Sequence, residues 1–131
     1  MVKTKLTTVE KTLDEASNSL VIEEKDIIVT VDTSIFAEER WESNFPHNAL
    51  KETLFAYIER VKKSGKIESQ AHILSNLKAL YCFVESDKIP DFKAFCQLFD
   101  LADVNRLKRL IEQIKYVFEL VLTSSAVSEK N

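Results

Sequence analysis

Apolar residues recur at helical spacing over most of the chain between Ser34 and Val121. Such a 3.6-residue period is typical of helices with one face turned to a core. Capping residues, Gly65 and two prolines divide the pattern into five predicted helices. These are a short helix capped by Ser34 that stops before Pro46, one from Asn48 to Ser64–Gly65, one over about 68–85, a short one starting at Pro90, and one from Asp100 or Asp103 to about Val121.

The residues ahead of Ser34 follow a different pattern. Leu20–Ile22 and Ile27–Val31 are rich in β-branched residues and are separated by four charged positions, which predicts a β-hairpin. Residues 1–18 are polar and are expected to form a flexible arm, and residues 123–131 a mobile tail. The predicted fold is therefore mainly α: one helical domain over 19–122, a small bundle of about five helices with an N-terminal hairpin.

Composition supports helices and limits the function. The 131 residues include one glycine and two prolines, whereas β-rich and α/β enzymes need glycines at turns and ligand loops. A formal net charge of −3 argues against a surface that binds nucleic acid over the whole domain. The basic run Arg106–Arg109, with Lys115 beyond it, has acidic neighbours and is predicted to form an ion-paired helix surface. A transcriptional regulator that uses this run is a third alternative for the function.

Little in the sequence indicates catalysis. One glycine cannot make a Walker loop or a dinucleotide-binding loop, and no zinc or EF-hand spacing occurs. The two histidines, His47 and His72, are interpreted as structural, and Cys82 and Cys96 as buried free thiols that suit a reducing cytoplasm. We expect no enzyme activity, no cofactor and no metal. Neither a signal peptide nor a membrane span is predicted.

Aromatic residues are the strongest candidates for binding a protein partner. Phe92, Phe95 and Phe99 share one face of a short helix, where they either anchor the core or form a groove for a partner helix. Trp41 and Phe45 carry the same two alternatives. The five together form the predicted partner-binding set.

Three stretches resemble tail assembly chaperones of long-tailed phages that infect Gram-positive bacteria. They are DTSIFAEERWESNFP at 32–46, TLFAYIER at 53–60 and LKALYCFVE at 77–85, and the likeness extends over about 26–122. The resemblance implies a cytoplasmic, non-catalytic protein that coats the tape measure protein, recruits tail tube subunits and forms homo-oligomers. In that family a longer product arises by ribosomal frameshifting, and Glu129–Asn131 can be encoded with the slippery heptamer A AAA AAC. A regulatory or immunity-type protein that neutralises one protein partner is the competing interpretation.

Overall fold

The computed structural model describes residues 2–46, 51–100 and 102–130, the last seven of these by their backbone alone. Within that range the chain forms two long strands, then helices with a short third strand between them. The order is β1 (Val2–Asp14), β2 (Ser19–Val31), α1 (Phe36–Asn44), α2 (Leu54–Ser64), α3 (Ile73–Phe83), β3 (Val84–Glu85), α4 (Phe92–Gln97) and α5 (Val104–Lys130).

Strands β1 and β2 form an antiparallel hairpin of 13 residues on each side, with Val2 opposite Val31 and Asp14 opposite Ser19. The side chain of Asp14 accepts the N–H of Ala16 and so orders the turn, and Asn18 adopts a left-handed conformation at φ 54°. Asparagine tolerates this conformation better than most residues.

This hairpin corrects two expectations. The flexible arm predicted over residues 1–18 is largely strand β1, and the two strands predicted within 20–31 are one continuous strand. Strand β1 was missed because its apolar residues Val2, Leu6, Val9 and Leu13 lie three or four positions apart, the spacing of a helix, in a segment otherwise rich in Thr and Lys. Leu6 and Val9 are nevertheless buried, together with Thr8. Strand β2 does show the pattern of a half-buried strand, since Ile27, Val29 and Val31 are buried and alternate with less buried positions.

The prediction of a mainly α protein is therefore wrong. A three-stranded antiparallel sheet in the order β1-β2-β3 packs with five helices in the described part of the chain, so the fold is α+β. The hydrophobic core lies between the helices and the inner half of the hairpin, which is the half remote from its turn. More of the core residues belong to α3 and to α5 than to any other element.

Several helix boundaries differ from the pattern-based ones. Helix α2 begins at Leu54, capped by Thr53, whereas the predicted cap Asn48 lies outside the described residues. The carboxylate of Glu38 in α1 accepts the N–H groups of Leu54 and Phe55, at 2.9 and 3.0 Å. This long-range contact satisfies the first turn of α2, and a one-dimensional pattern does not contain it.

The other boundaries shift by a few residues. Asp91 caps α4 instead of Pro90 opening it, while Ser34 precedes α1 and accepts the N–H of Phe36. Helix α3 is shorter than expected, because two 3₁₀ turns at 66–72 precede it and β3 follows it. Helix α5 continues through the segment expected to be a mobile tail, as far as Lys130.

Gly65 ends α2 in the left-handed conformation, at φ 71°, as the sequence predicted. A Cβ added there would meet no atom within 4 Å, so the cost of a side chain comes from the backbone alone. Gly65→Ala should lower the free energy of unfolding by about 1–2 kcal/mol in chemical denaturation. Gly65→Asn is the matched control and should lose less, since asparagine adopts this conformation more readily. Equal losses would contradict the backbone explanation.

Candidate interaction surfaces

A continuous cluster of aromatic rings connects α1, α2, α3 and α4. Centroid distances are 5.6 Å between Trp41 and Phe45, 5.1 Å between Phe45 and Phe92, and 5.1 Å between Phe95 and Phe99. Most pairs meet edge to face or tilted, the arrangements that aromatic quadrupoles favour. The cluster therefore contributes to stability as well as marking a surface. Its members are Trp41, Phe45, Tyr57, Tyr81, Phe92, Phe95 and Phe99.

The structure brings the five predicted partner-binding residues together in this cluster. Trp41 and Phe95 are 3% and 0% exposed, so they belong to the core and cannot touch a partner in this conformation. Phe45, Phe92 and Phe99 are partly buried and pack against that core. Of the five predicted residues, these three therefore have part of their side chain at the surface.

Three cations lie over rings of this cluster, one of them Arg60, whose guanidinium is 5.3 Å from the ring centroid of Tyr57. The guanidinium of Arg40 is 4.7 Å from the ring centroid of Tyr81 and donates to the carbonyl of Val84 at 2.9 Å. The ammonium of Lys78 is 5.7 Å from the centroid of Phe45. Such cations prefer the ring faces, and here they give the cluster a polar margin that reduces its apolar surface.

A more exposed apolar site lies at the start of α1. Ile35 is 88% exposed and Phe36 is 52% exposed, the first being the most exposed large apolar side chain described. Ile35 borders a groove of about 160 Å³ whose apolar lining includes Leu54, Phe83 and Val121. We use the name α1 groove for this depression together with the two exposed side chains beside it, those of Ile35 and Phe36.

The predicted site set omitted Ile35 and Phe36, although a signal was present. Ala37 and Trp41 are four residues apart and are the buried positions of α1. On a helix these two share a face, and the residue just before Ala37 does not belong to it.

The outer half of the hairpin is a second exposed region. Leu13 and Leu20 lie directly opposite each other beside the turn, and both are exposed. Val21 is also exposed on the neighbouring position of β2. An apolar cross-strand pair beside a turn stabilises the hairpin locally and also leaves apolar surface in water.

The basic run on α5 is ion-paired, as predicted from its acidic neighbours. Arg109 contacts the carboxylate of Glu24 on β2, and Arg106 lies 3.4 Å from Glu24 and 3.7 Å from Asp100. Hydrogen bonding by the Ala102 N–H, followed by the nearby Lys11 and Arg106, lowers the pKa of Asp100. Lys115 also pairs with Glu68 at 3.0 Å. These charges hold the hairpin against α5 and leave less positive charge for phosphate groups.

Nucleophilic and metal-binding residues do not form a constellation in the described part of the chain. Cys82 is buried and donates to the carbonyl of Lys78 at 3.3 Å, and burial raises the pKa of its thiol to about 12. The ring Nδ1 of His72 lies 3.2 Å from the hydroxyl of Ser69, while His47 is outside the described residues. No group of three metal-ligating side chains occurs among the residues described.

The comparisons with known proteins found nothing. No protein-family model, no curated protein and no solved structure matches this chain. None of the helices in the described residues is long and apolar enough to cross a membrane. Functional inference therefore depends on the geometry above and on the sequence resemblance.

Phe95 and Phe36 test the separation of core from surface with one residue type. Phe95→Ala should lower the free energy of unfolding by about 3–5 kcal/mol, because it removes a fully buried ring and leaves a cavity. Phe36→Ala should lower it by about 1 kcal/mol or less, since that side chain is already about half exposed. Urea denaturation measures both, and similar losses would contradict this placement.

The two cysteines should differ in reactivity toward a thiol reagent at pH 8. With a pKa near 12, Cys82 is thiolate in only about one molecule in 10,000, and it is also shielded. Cys96 is partly exposed, so the prediction that both thiols are buried is wrong for this residue. Burial raises the pKa of Cys96 as well, but its accessible thiol should be labelled first. Peptide mass spectrometry can map the label, with guanidinium-unfolded protein as the control in which both react. Equal native rates would contradict the burial of Cys82.

Proposed function

We propose that this protein is a phage tail assembly chaperone that binds the tape measure protein and recruits tail tube subunits in the bacterial cytoplasm. The observation that carries the proposal is the α1 groove. Its exposed residues Ile35 and Phe36 lie in the stretch 32–46, where the resemblance to these chaperones is most extensive.

A tape measure protein is long and helical, with apolar seams that would associate before a tube encloses them. A chaperone can cover such seams through many modest apolar contacts whose sum is large. An apolar knob beside a small depression suits this task, because Ile35 and Phe36 can pack against the apolar face of an amphipathic helix. Burying Ile35 would contribute about 1.5–3 kcal/mol, and burying the exposed half of Phe36 about half as much.

The other residues of the resembling stretch have structural roles that keep this site in place. Glu38 caps α2, whose Leu54 lines the groove, and Trp41 donates to the carbonyl of Glu52 at 2.9 Å. These contacts join α1 to the start of α2. The stretch thus contains both the proposed contact residues and the contacts that hold them in place.

Co-expression with the tape measure protein of the same phage tests the proposal. In the double variant Ile35→Ser/Phe36→Ser, the amount of soluble tape measure protein should fall at least about tenfold, because apolar contact area is lost. The fold should persist, since both side chains are exposed and serine is favourable at the start of a helix. Circular dichroism and thermal unfolding check that point.

The matched control is Leu74→Ser/Val104→Ser, which removes two apolar side chains that are each about half exposed, from α3 and the start of α5. This control should retain wild-type solubilisation. If both double variants retain it, the α1 groove is not the binding site. If the wild-type protein does not raise the amount of soluble tape measure protein, the chaperone proposal fails, and a regulatory or immunity-type role becomes the better interpretation.

A further inference from the structure

The outer edge of β2 is mostly unpaired. Strand β2 pairs along its whole length with β1, but on its other side β3 contacts Thr30 and Val31 alone. Positions 20–29 therefore have no strand neighbour on that side among the described residues. An open groove of about 700 Å³, lined in part by Ile27, Ile28 and Lys88, lies beside this edge.

The direction of the backbone groups on this edge follows from the hydrogen bonds. The N–H groups of Thr7 and Val9 point away from β2, toward Gln113 and the carbonyl of Leu98. The even residues of β1 therefore face β2, and with the observed register the odd residues of β2 face β1. The even positions of β2 from 20 to 28 consequently direct their N–H and C=O groups outward.

This edge is complementary to itself in one antiparallel register. With Glu24 opposite Glu24 of a second copy, Leu20 lies opposite Ile28 and Val21 opposite Ile27, each pair occurring twice. Leu20 and Ile28 are 59% and 55% exposed in the single chain. The outward groups at 20, 22, 24, 26 and 28 would then form about ten backbone hydrogen bonds between the two copies.

The charges select the same register. Glu23 lies opposite Lys25 of the second copy, again twice, and opposite charges across a strand pair are favourable. Lys25 also contacts Glu10 of its own β1, so in the dimer its ammonium would lie between two carboxylates. The central Glu24 of each copy already contacts its own Arg106 and Arg109, which offsets the repulsion between the two carboxylates. Moving the centre of the pairing from Glu24 to Lys25 would place Lys25 opposite Lys25 of the second copy. Moving the centre to Glu23 would place Glu23 opposite Glu23.

The length of the free edge also fits. The second copy's β2 begins at Ser19, which lies opposite Val29, and β3 occupies the next position, beside Thr30. The turn that precedes Ser19 in the second copy then leads toward that copy's own β1, away from β3 of the first copy. We propose that a second copy of this chain pairs along the outer edge of β2, with Glu24 opposite Glu24, to form a two-fold dimer with a continuous sheet. Such a pairing uses the same edge on both copies and ends there, so it protects an otherwise aggregation-prone strand.

The dimer is independent of the chaperone assignment, because it rests on the strand edge and not on the α1 groove. Sedimentation and native mass spectrometry of the full chain, over about 1–500 µM, test it directly. Lys25→Glu and Glu23→Lys should each raise the dimer Kd at least about tenfold, since each makes two like-charged pairs. Both positions are exposed, so thermal unfolding of Glu23→Lys should stay close to that of the wild type. Lys25→Glu also loses the exposed ion pair with Glu10 within the chain, which costs little, and thermal unfolding checks that this variant stays folded.

The decisive experiment mixes the two variants. One copy then has two lysines and the other two glutamates at positions 23 and 25, so both cross-strand pairs become attractive and a heterodimer should form with a Kd near that of the wild type. Native mass spectrometry distinguishes the heterodimer from either homodimer. A wild-type chain that stays monomeric throughout would overturn the proposal and leave the edge to a strand from another protein. A dimer insensitive to both substitutions, or a mixture that remains monomeric, would overturn it as well.

Discussion

Leu6 of β1 and Ile27 of β2 lie directly opposite each other, and both are buried in the hydrophobic core. Their contact joins the open end of the hairpin to the helices, and the side chain of Gln113 on α5 reinforces it by bonding the backbone and hydroxyl of Thr7. An isolated two-stranded hairpin is marginal in water. The outer half of this hairpin, next to the turn, has few core contacts. Its stability therefore depends on the half that Leu6 and Ile27 anchor in the core. The two proposed surfaces also depend on it, because the sheet places the β2 edge and leads into α1.

The helical part of the fold was predictable from local chemistry. Gly65 stops α2 where the sequence indicated, and the apolar positions from Leu107 to Val121 are buried along α5. The hairpin was not predictable in this way. Strand β1 carries Thr and Lys at most positions and has a strand partner up to 29 residues away in sequence, at Val31. Its strand state is a consequence of tertiary pairing, which overrides weak local preference.

The candidate sites show the same division. Phe92, Phe95 and Phe99 were identified by helical spacing, but spacing alone does not tell which ring faces inward. The helices packed around α4 decide that, and they bury Phe95 completely. Ile35 and Phe36 are exposed because α1 turns Ala37 and Trp41 inward, which depends on the position of α2 as well as on sequence. The sequence predicted that Arg106 and Arg109 form ion pairs. It did not predict that they share the partner Glu24, which is 82 and 85 residues away from them in the chain.

Native-state hydrogen exchange at Leu6, Ile27 and Val29 tests most directly whether the anchored half of the hairpin belongs to the core. The N–H groups of these residues point into the ladder between β1 and β2, next to buried side chains. They should exchange only when the whole domain unfolds, as slowly as the most protected amides of α3 and α5. Exchange of the Leu6 amide at the rate of an unstructured peptide, while α3 stays protected, would show that β1 is a loose arm and would contradict the fold described.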